Sequence, residues 1–219
     1  MRIKLNEYDA VIFDMDGVLI DSEPLWKIAM EEVFRSTGSN LTKSDFQKTT
    51  GLRIDEVVNY WHQQEGWKIP ADKVEQAIVH KMTELLREHG KPLTGVLETL
   101  NFLQEKKIKT GLATSSYQIL VDTVLDVLKA EMYFHCTHSA ENEAYGKPHP
   151  AVFISAAQKL QADPTRCLVV EDSLNGVIAA KAARMKVVCI PEKTHFEEPR
   201  LSLADYRFEN MRQLLAALS

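Results

Sequence analysis

The sequence predicts an α/β fold: a mainly parallel, doubly wound sheet with an inserted block of helices. Three observations carry this expectation. Short apolar runs that stop at polar turns alternate with stretches of helical periodicity along most of the chain. Residues 22–88 hold helical periodicity with no convincing strand among them. A chain of 219 residues, 45% hydrophobic and 26% charged, has enough apolar material for a main domain plus a modest insertion, with no need of disulfides.

The first element is the run at residues 10–13, too short for a helix. It ends in Asp14-Met15-Asp16-Gly17 and reads as a buried strand stopping at a turn. The inserted block follows, with one apolar stripe through Leu25, Ile28, Ala29 and Val33, a second through Ile54, Val57, Val58 and Trp61, and a third through Val74, Ile78 and Leu85. Proline lies at both crossings, near residues 21–24 and 91–95. The expected division is therefore a core of residues 1–21 and 92–219 and a helical domain of residues 22–91. A helix through Val96, Leu100 and Leu103 leads to a strand at 108–113 that ends in Thr114-Ser115-Ser116. The next helix carries Leu120, Val124 and Leu128, and a weaker strand is expected at 132–136. A stripe through Val152, Phe153, Ala156 and Leu160 precedes a strand at 167–170 that ends in Glu171-Asp172-Ser173. A helix through Leu174 and Val177, a strand at 187–190 and a last helix through Met211, Leu214 and Leu218 complete the pattern.

Composition narrows the function. A net charge of −5, with no run of lysines or arginines, argues against nucleic acid, whose binding depends on phosphate neutralisation. The three cysteines are far apart and odd in number, so free buried thiols and a reduced, cytoplasmic setting are expected. The first residues contain no apolar signal segment, and no stretch of ~18 apolar residues occurs, so no membrane partner is expected.

In an open α/β sheet, functional groups belong at the carboxyl ends of the strands. Here those ends carry Asp14 and Asp16, Thr114 and Ser115, and Glu171 and Asp172. Each group alone is a common turn or helix cap. Together they direct four carboxylates at one rim, where their charges would repel one another. A hard divalent cation resolves that repulsion, and Mg2+ suits carboxylates shared with water and phosphate oxygens.

These residues also resemble a family. Asp14-Met15-Asp16-Gly17-Val18-Leu19-Ile20-Asp21-Ser22 is similar to the first motif of the haloacid dehalogenase superfamily. Ala113-Thr114-Ser115-Ser116 is similar to the second, Lys147-Pro148 to the third, and Val170-Glu171-Asp172-Ser173 with Gly176 to the fourth. The order matches, and the resemblance spans essentially the whole chain. It implies a Rossmann-like core with an inserted α-helical cap of the β-phosphoglucomutase-like kind, and a monomer. It further implies that Asp14 is the nucleophile, forming an aspartyl phosphate, and that Asp16 is the general acid and then the base. Asp14, Asp172 and the Asp16 carbonyl would hold Mg2+, with Glu171 acting through water. Thr114, and secondarily Ser115, would bind phosphate oxygens, and Lys147 would balance the charge. An aspartate at position 16 separates phosphatases and mutases from dehalogenases.

The implied substrate is a small phosphate monoester. Gly51-Leu52-Arg53 is similar to a cap element that places an arginine near the distal end of a sugar phosphate, so Arg53 is a candidate substrate contact. Trp26 stands where β-phosphoglucomutases resemble one another in a histidine. This favours water over a second sugar hydroxyl as acceptor and makes Trp26 a second candidate contact. The segment is similar to bacterial 2-deoxyglucose-6-phosphate phosphatases, which implies a hexose or polyol phosphatase. The alternatives are a β-phosphoglucomutase and, in another class, a phospho-accepting signalling module. Such modules are about half this length, lack a cap, and place the acceptor after the third strand.

Overall fold

The computed structural model describes residues 2–49, 51–191 and 198–219. Ala-Val-Ile-Phe forms strand β1 (Ala10–Phe13), with all four side chains buried. Four helices precede the next strand, and the first three form the inserted block: α1 (Glu23–Ser36), α2 (Ile54–Glu65) and α3 (Ala71–His89). Glu23 and Pro24 open α1, and Gly66 closes α2 with φ of 64°, a left-handed conformation that glycine adopts without steric cost. The remaining elements alternate: α4 (Val96–Glu105), β2 (Lys109–Thr114), α5 (Gln118–Leu128), β3 (Cys136–Ser139), α6 (Ala151–Lys159), β4 (Cys167–Glu171), α7 (Leu174–Ala182), β5 (Lys186–Cys189), β6 (Tyr206–Arg207) and α8 (Met211–Ala217).

The six strands pair in parallel in the order β3-β2-β1-β4-β5-β6. The order reverses at β1, so the crevice at the carboxyl ends of β1, β2 and β4 is the switch point where doubly wound sheets bind ligands. Strand alternation assigns the two faces. Val11, Phe13, Leu112 and Val170 join one apolar cluster; Ala10, Ile12, Ala113 and Val169 join the other, beneath α6 and α7.

The first cluster does not end at the sheet. It continues through Leu120 and Val124 of α5 to Ile78 and Leu86 of α3, and on to Phe34, Trp61 and Trp67. Trp67 packs against Phe34 with ring centroids 4.8 Å apart. The indole N–H groups of Trp61 and Trp67 are buried without a hydrogen-bond partner among the described residues.

Two expectations about the sheet need correction. The third strand lies at Cys136–Ser139, not at 132–136, because Glu131–Tyr133 winds into a short 3-10 turn. Strand β6, only two residues long at the sheet edge, had no sequence signal. No helix among the described residues is long and apolar enough to cross a membrane, and the three cysteines are free.

Candidate active site

Asp14 directly follows β1, and its amide donates to the carbonyl of Val170 on β4, 2.9 Å away. This prolongs the ladder by one residue and fixes the carboxylate at the crevice floor. From the loop before α6, Lys147 sends its buried Nζ to Asp14 Oδ1 at 2.8 Å and Glu171 Oε1 at 2.6 Å. The same Nζ lies 4.7 Å from the ring centre of Phe153. Glu171 is completely buried at the end of β4, and its other oxygen accepts from the amides of Asp172 and Ser173 and from Ser173 Oγ. Both its oxygens are thus engaged within the protein.

Asp14, Glu171 and Asp172 each bring a carboxylate oxygen within 4.8 Å of the others. Burial pushes the Asp14 carboxyl up to about 7, with Lys147 opposing and the Glu171 and Asp16 charges adding to the rise. Burial, then the charges of Glu171 and Asp14, holds Asp172 well above the usual carboxylate range. Burial works in the same direction at Glu171, but Lys147 and the Ser173 donors outweigh it and lower its carboxyl. Lys147 is raised: burial disfavours its charge, and Asp14 and Glu171 overcome that cost. One lysine stands among three acids, so with all three ionised the set would carry surplus negative charge on hard oxygens, a surplus that the raised Asp14 and Asp172 reflect. That is the chemistry a divalent cation such as Mg2+ fits.

Two glycines make room for this cluster. Gly17 has φ of 70°, and a Cβ there would sit 2.2 Å from Asp172 Oδ2. A Cβ on Gly176, in the first turn of α7, would lie 1.7 Å from Glu171 Oε1. The turn around Asp16 therefore lies directly against Asp172, and α7 against Glu171.

Asp16 leans towards the helical block. Its Oδ1 accepts from Ser22 Oγ and from Trp26 Nε1, the latter at 3.1 Å, and its Oδ2 accepts from Ser116 Oγ at 2.6 Å. Ser22 and Ser116 were not among the candidates, because a hydroxyl just before a helix or after a strand reads as a local cap. Thr114 is buried, and its Oγ1 accepts from the Ser116 amide at 3.1 Å. Thr114, Ser115, Lys147 and Asp172 line one cavity with Asp14 and Asp16, about 610 Å³ in volume. Trp26, Gly51 and Arg53 contribute its opposite wall. Every candidate lines this cavity except Glu171, which is buried and held to its floor through Lys147 and the Asp14–Asp172 cluster.

Arg53 lines the cavity, but its guanidinium ends are occupied. Nη1 donates to the carbonyls of Ala140 at 3.0 Å and Glu143 at 2.9 Å, and Nη2 donates to Asp55 at 3.0 Å. The Gly51 carbonyl likewise accepts from Asn175 Nδ2 at 3.2 Å. His135 and His138, three residues apart, serve local contacts: His135 Nδ1 accepts from the Thr110 amide, and His138 bonds Glu143.

A doubly wound sheet with strand-end acids and a buried lysine is an arrangement suited to phosphoryl transfer. The model of the haloacid dehalogenase-like hydrolase family matches residues 11–190, and the chain belongs to that family. Hexitol phosphatase B of Escherichia coli K12 is 38% identical over 209 residues, 94% of each chain. The phosphorylated carbohydrates phosphatase of Thermotoga maritima is 33% identical over 80% of this chain and 81% of its own. Among solved structures, CbbY from Rhodobacter sphaeroides in complex with phosphate superposes with a TM-score of 0.87 at 22% identity, over 94% of this chain and 96% of that one. A β-phosphoglucomutase from Clostridium difficile gives 0.82 at 22% identity, covering 94% and 93%. The chain is an enzyme of this hydrolase family, with phosphatases among its relatives.

Proposed function

We propose that this enzyme hydrolyses a small sugar or sugar-alcohol phosphate through a phospho-Asp14 intermediate, with Mg2+ as its metal. The observation that carries the reading is the pairing of Asp14 with Lys147 on the floor of the cavity, beside Asp172 and facing Asp16. The 38% identity to a hexitol phosphatase supports a hexose or polyol phosphate as the substrate class, and 2-deoxyglucose 6-phosphate is the first member to try.

In this reading a carboxylate oxygen of Asp14 attacks phosphorus in line, and the P–O bond to the leaving alkoxide breaks as Asp16 gives that oxygen its proton. Asp16 then takes a proton from water, which attacks the aspartyl phosphate and frees Asp14. Thr114 and Ser115 orient phosphate oxygens. Lys147 stays between Asp14 and Glu171 and offsets their charge as the phosphoryl group arrives. Asp14, Asp172 and the Asp16 carbonyl would hold Mg2+, with Glu171 at one remove; when bound, the ion neutralises phosphoryl oxygens and orients them. Residues 22–91 act as a cap that supplies the cavity's far wall and excludes water.

The test is phosphate release from a panel containing 2-deoxyglucose 6-phosphate, hexitol phosphates and β-glucose 1-phosphate, with Mg2+ or with chelator. Metal-dependent release is expected, falling by roughly 10⁴-fold or more in Asp14→Asn. Conversion of β-glucose 1-phosphate to glucose 6-phosphate without release would replace the proposal with a mutase.

A further inference from the structure

Arg53 joins two parts of the molecule that share no sequence neighbourhood. Its backbone caps the start of α2, where its amide donates to Glu56 Oε2 at 3.0 Å. Its side chain, only 11% exposed, leaves the helical block and enters the loop between β3 and α6. There Nη1 grips the carbonyls of Ala140 and Glu143, the two ends of one 3-10 turn. That turn is itself anchored, because the Glu143 carboxylate accepts from Ser155 Oγ and pairs with His138 Nε2, both at 2.7 Å. The arginine's stem then lies across Gly146, where a Cβ would stand 2.9 Å from both its Cγ and its Cδ. The next residue is Lys147, whose Nζ bridges Asp14 and Glu171.

We infer that Arg53 is a positioning residue: by docking the helical block onto the 140–146 loop, it sets the placement of Lys147 between Asp14 and Glu171. The inference rests on the role given above to Lys147 in phosphoryl transfer. The planar fork of arginine reaches two carbonyls and a carboxylate at once, which a lysine ammonium on a flexible stem does not reproduce. Arg53 Nε and Asp55 Oδ1 are buried there without a hydrogen-bond partner among the described residues.

The experiment compares wild type, Arg53→Met, Arg53→Lys and Gly146→Ala. Each is measured by hydrogen–deuterium exchange over residues 140–147 and by kcat and KM on a panel substrate that wild type turns over. Arg53→Met is expected to deprotect 140–147 while the β1, β2 and β4 amides stay protected. Its kcat should fall about 10–100-fold with KM changed less than about 3-fold. Arg53→Lys should recover part of both effects. Gly146→Ala evicts the arginine's stem without removing its charge and should reproduce the Arg53→Met pattern. It decides the matter if Arg53→Met does not fold. Unchanged protection of 140–147 in Arg53→Met and Gly146→Ala would overturn the inference, as would a large rise in KM at constant kcat, which marks a substrate contact. If wild type turns over no panel member, the sugar-phosphate reading fails, and the exchange measurement still decides the coupling.

Discussion

Trp26 donates one hydrogen bond and can accept none, so in the proposed mechanism its contact with Asp16 Oδ1, shared with Ser22, would favour Oδ2 as the oxygen that carries the proton. Removing that donor in Trp26→Phe sacrifices a bond to the carboxylate that forms as the proposed proton transfer proceeds, about 1.5–3 kcal/mol, or roughly a 10–100-fold loss in rate if the whole contact serves the transfer step. In single-turnover phosphoryl transfer, the loss should be larger for an alkyl phosphate than for p-nitrophenyl phosphate, whose leaving group needs little protonation. Equal losses on both would deny Trp26 a part in setting the acid. The sequence marked Trp26 by its departure from a histidine. It gave no sign that the indole would face an aspartate ten positions earlier.

Among the elements, β5, β6 and α7 meet at one carboxylate. Asp205 accepts from Lys181 Nζ, Lys186 Nζ and the Val187 amide, at 2.8, 2.8 and 3.0 Å. Burial favours the neutral acid, but these donors outweigh it, and the Asp205 carboxyl is lowered. A lowered folded-state pKa contributes stability above the unfolded value of ~3.9, and that contribution is lost as pH falls through the folded value. Asp205→Asn should therefore cost about 1–2 kcal/mol at neutral pH, after allowing for screening at the half-exposed lysines, and progressively less below pH ~4. Urea melts across pH 2–7 check this; a pH-independent difference would count against it. The strands legible in the sequence were those rich in Val, Ile and Leu, because fully buried parallel strands leave continuous apolar runs. Cys-Thr-His-Ser of β3 carries no such run, and β6 is two residues at an edge, so one was displaced and the other missed.

For the molecule as a whole, the catalytic floor was legible because topology forces strand ends to one rim, whichever residues lie between. The joint between block and core was not. Arg53 with Ala140, and Gly51 with Asn175, are contacts of long sequence separation that no local pattern encodes. The apolar cluster nevertheless runs unbroken from Phe13 through α5 and α3 to Phe34 and Trp61. Such continuity predicts one cooperative unfolding transition for block and sheet together. All three tryptophans, Trp26, Trp61 and Trp67, lie in the block. Their fluorescence should therefore change at the same denaturant midpoint as far-UV circular dichroism, which reports the whole chain. A fluorescence midpoint well below the dichroism midpoint would instead establish separate folding units.

The indole N–H groups of Trp61 and Trp67, without a hydrogen bond among the described residues, bear on how such an enzyme changes over generations. A buried, unbonded N–H costs about 1–3 kcal/mol, so a phenyl ring in its place gives up apolar area but relieves that cost, and the exchange lies near neutral. Packing that far from its optimum tolerates replacement. The three-helix block that carries these tryptophans also furnishes Trp26, Phe46, Leu52 and Val57 to the cavity wall. Changes in that wall leave Asp14 and Asp172 at the strand ends and Lys147 in the loop before α6 untouched. The fold thus keeps the proposed recognition wall and the proposed chemistry on separate elements.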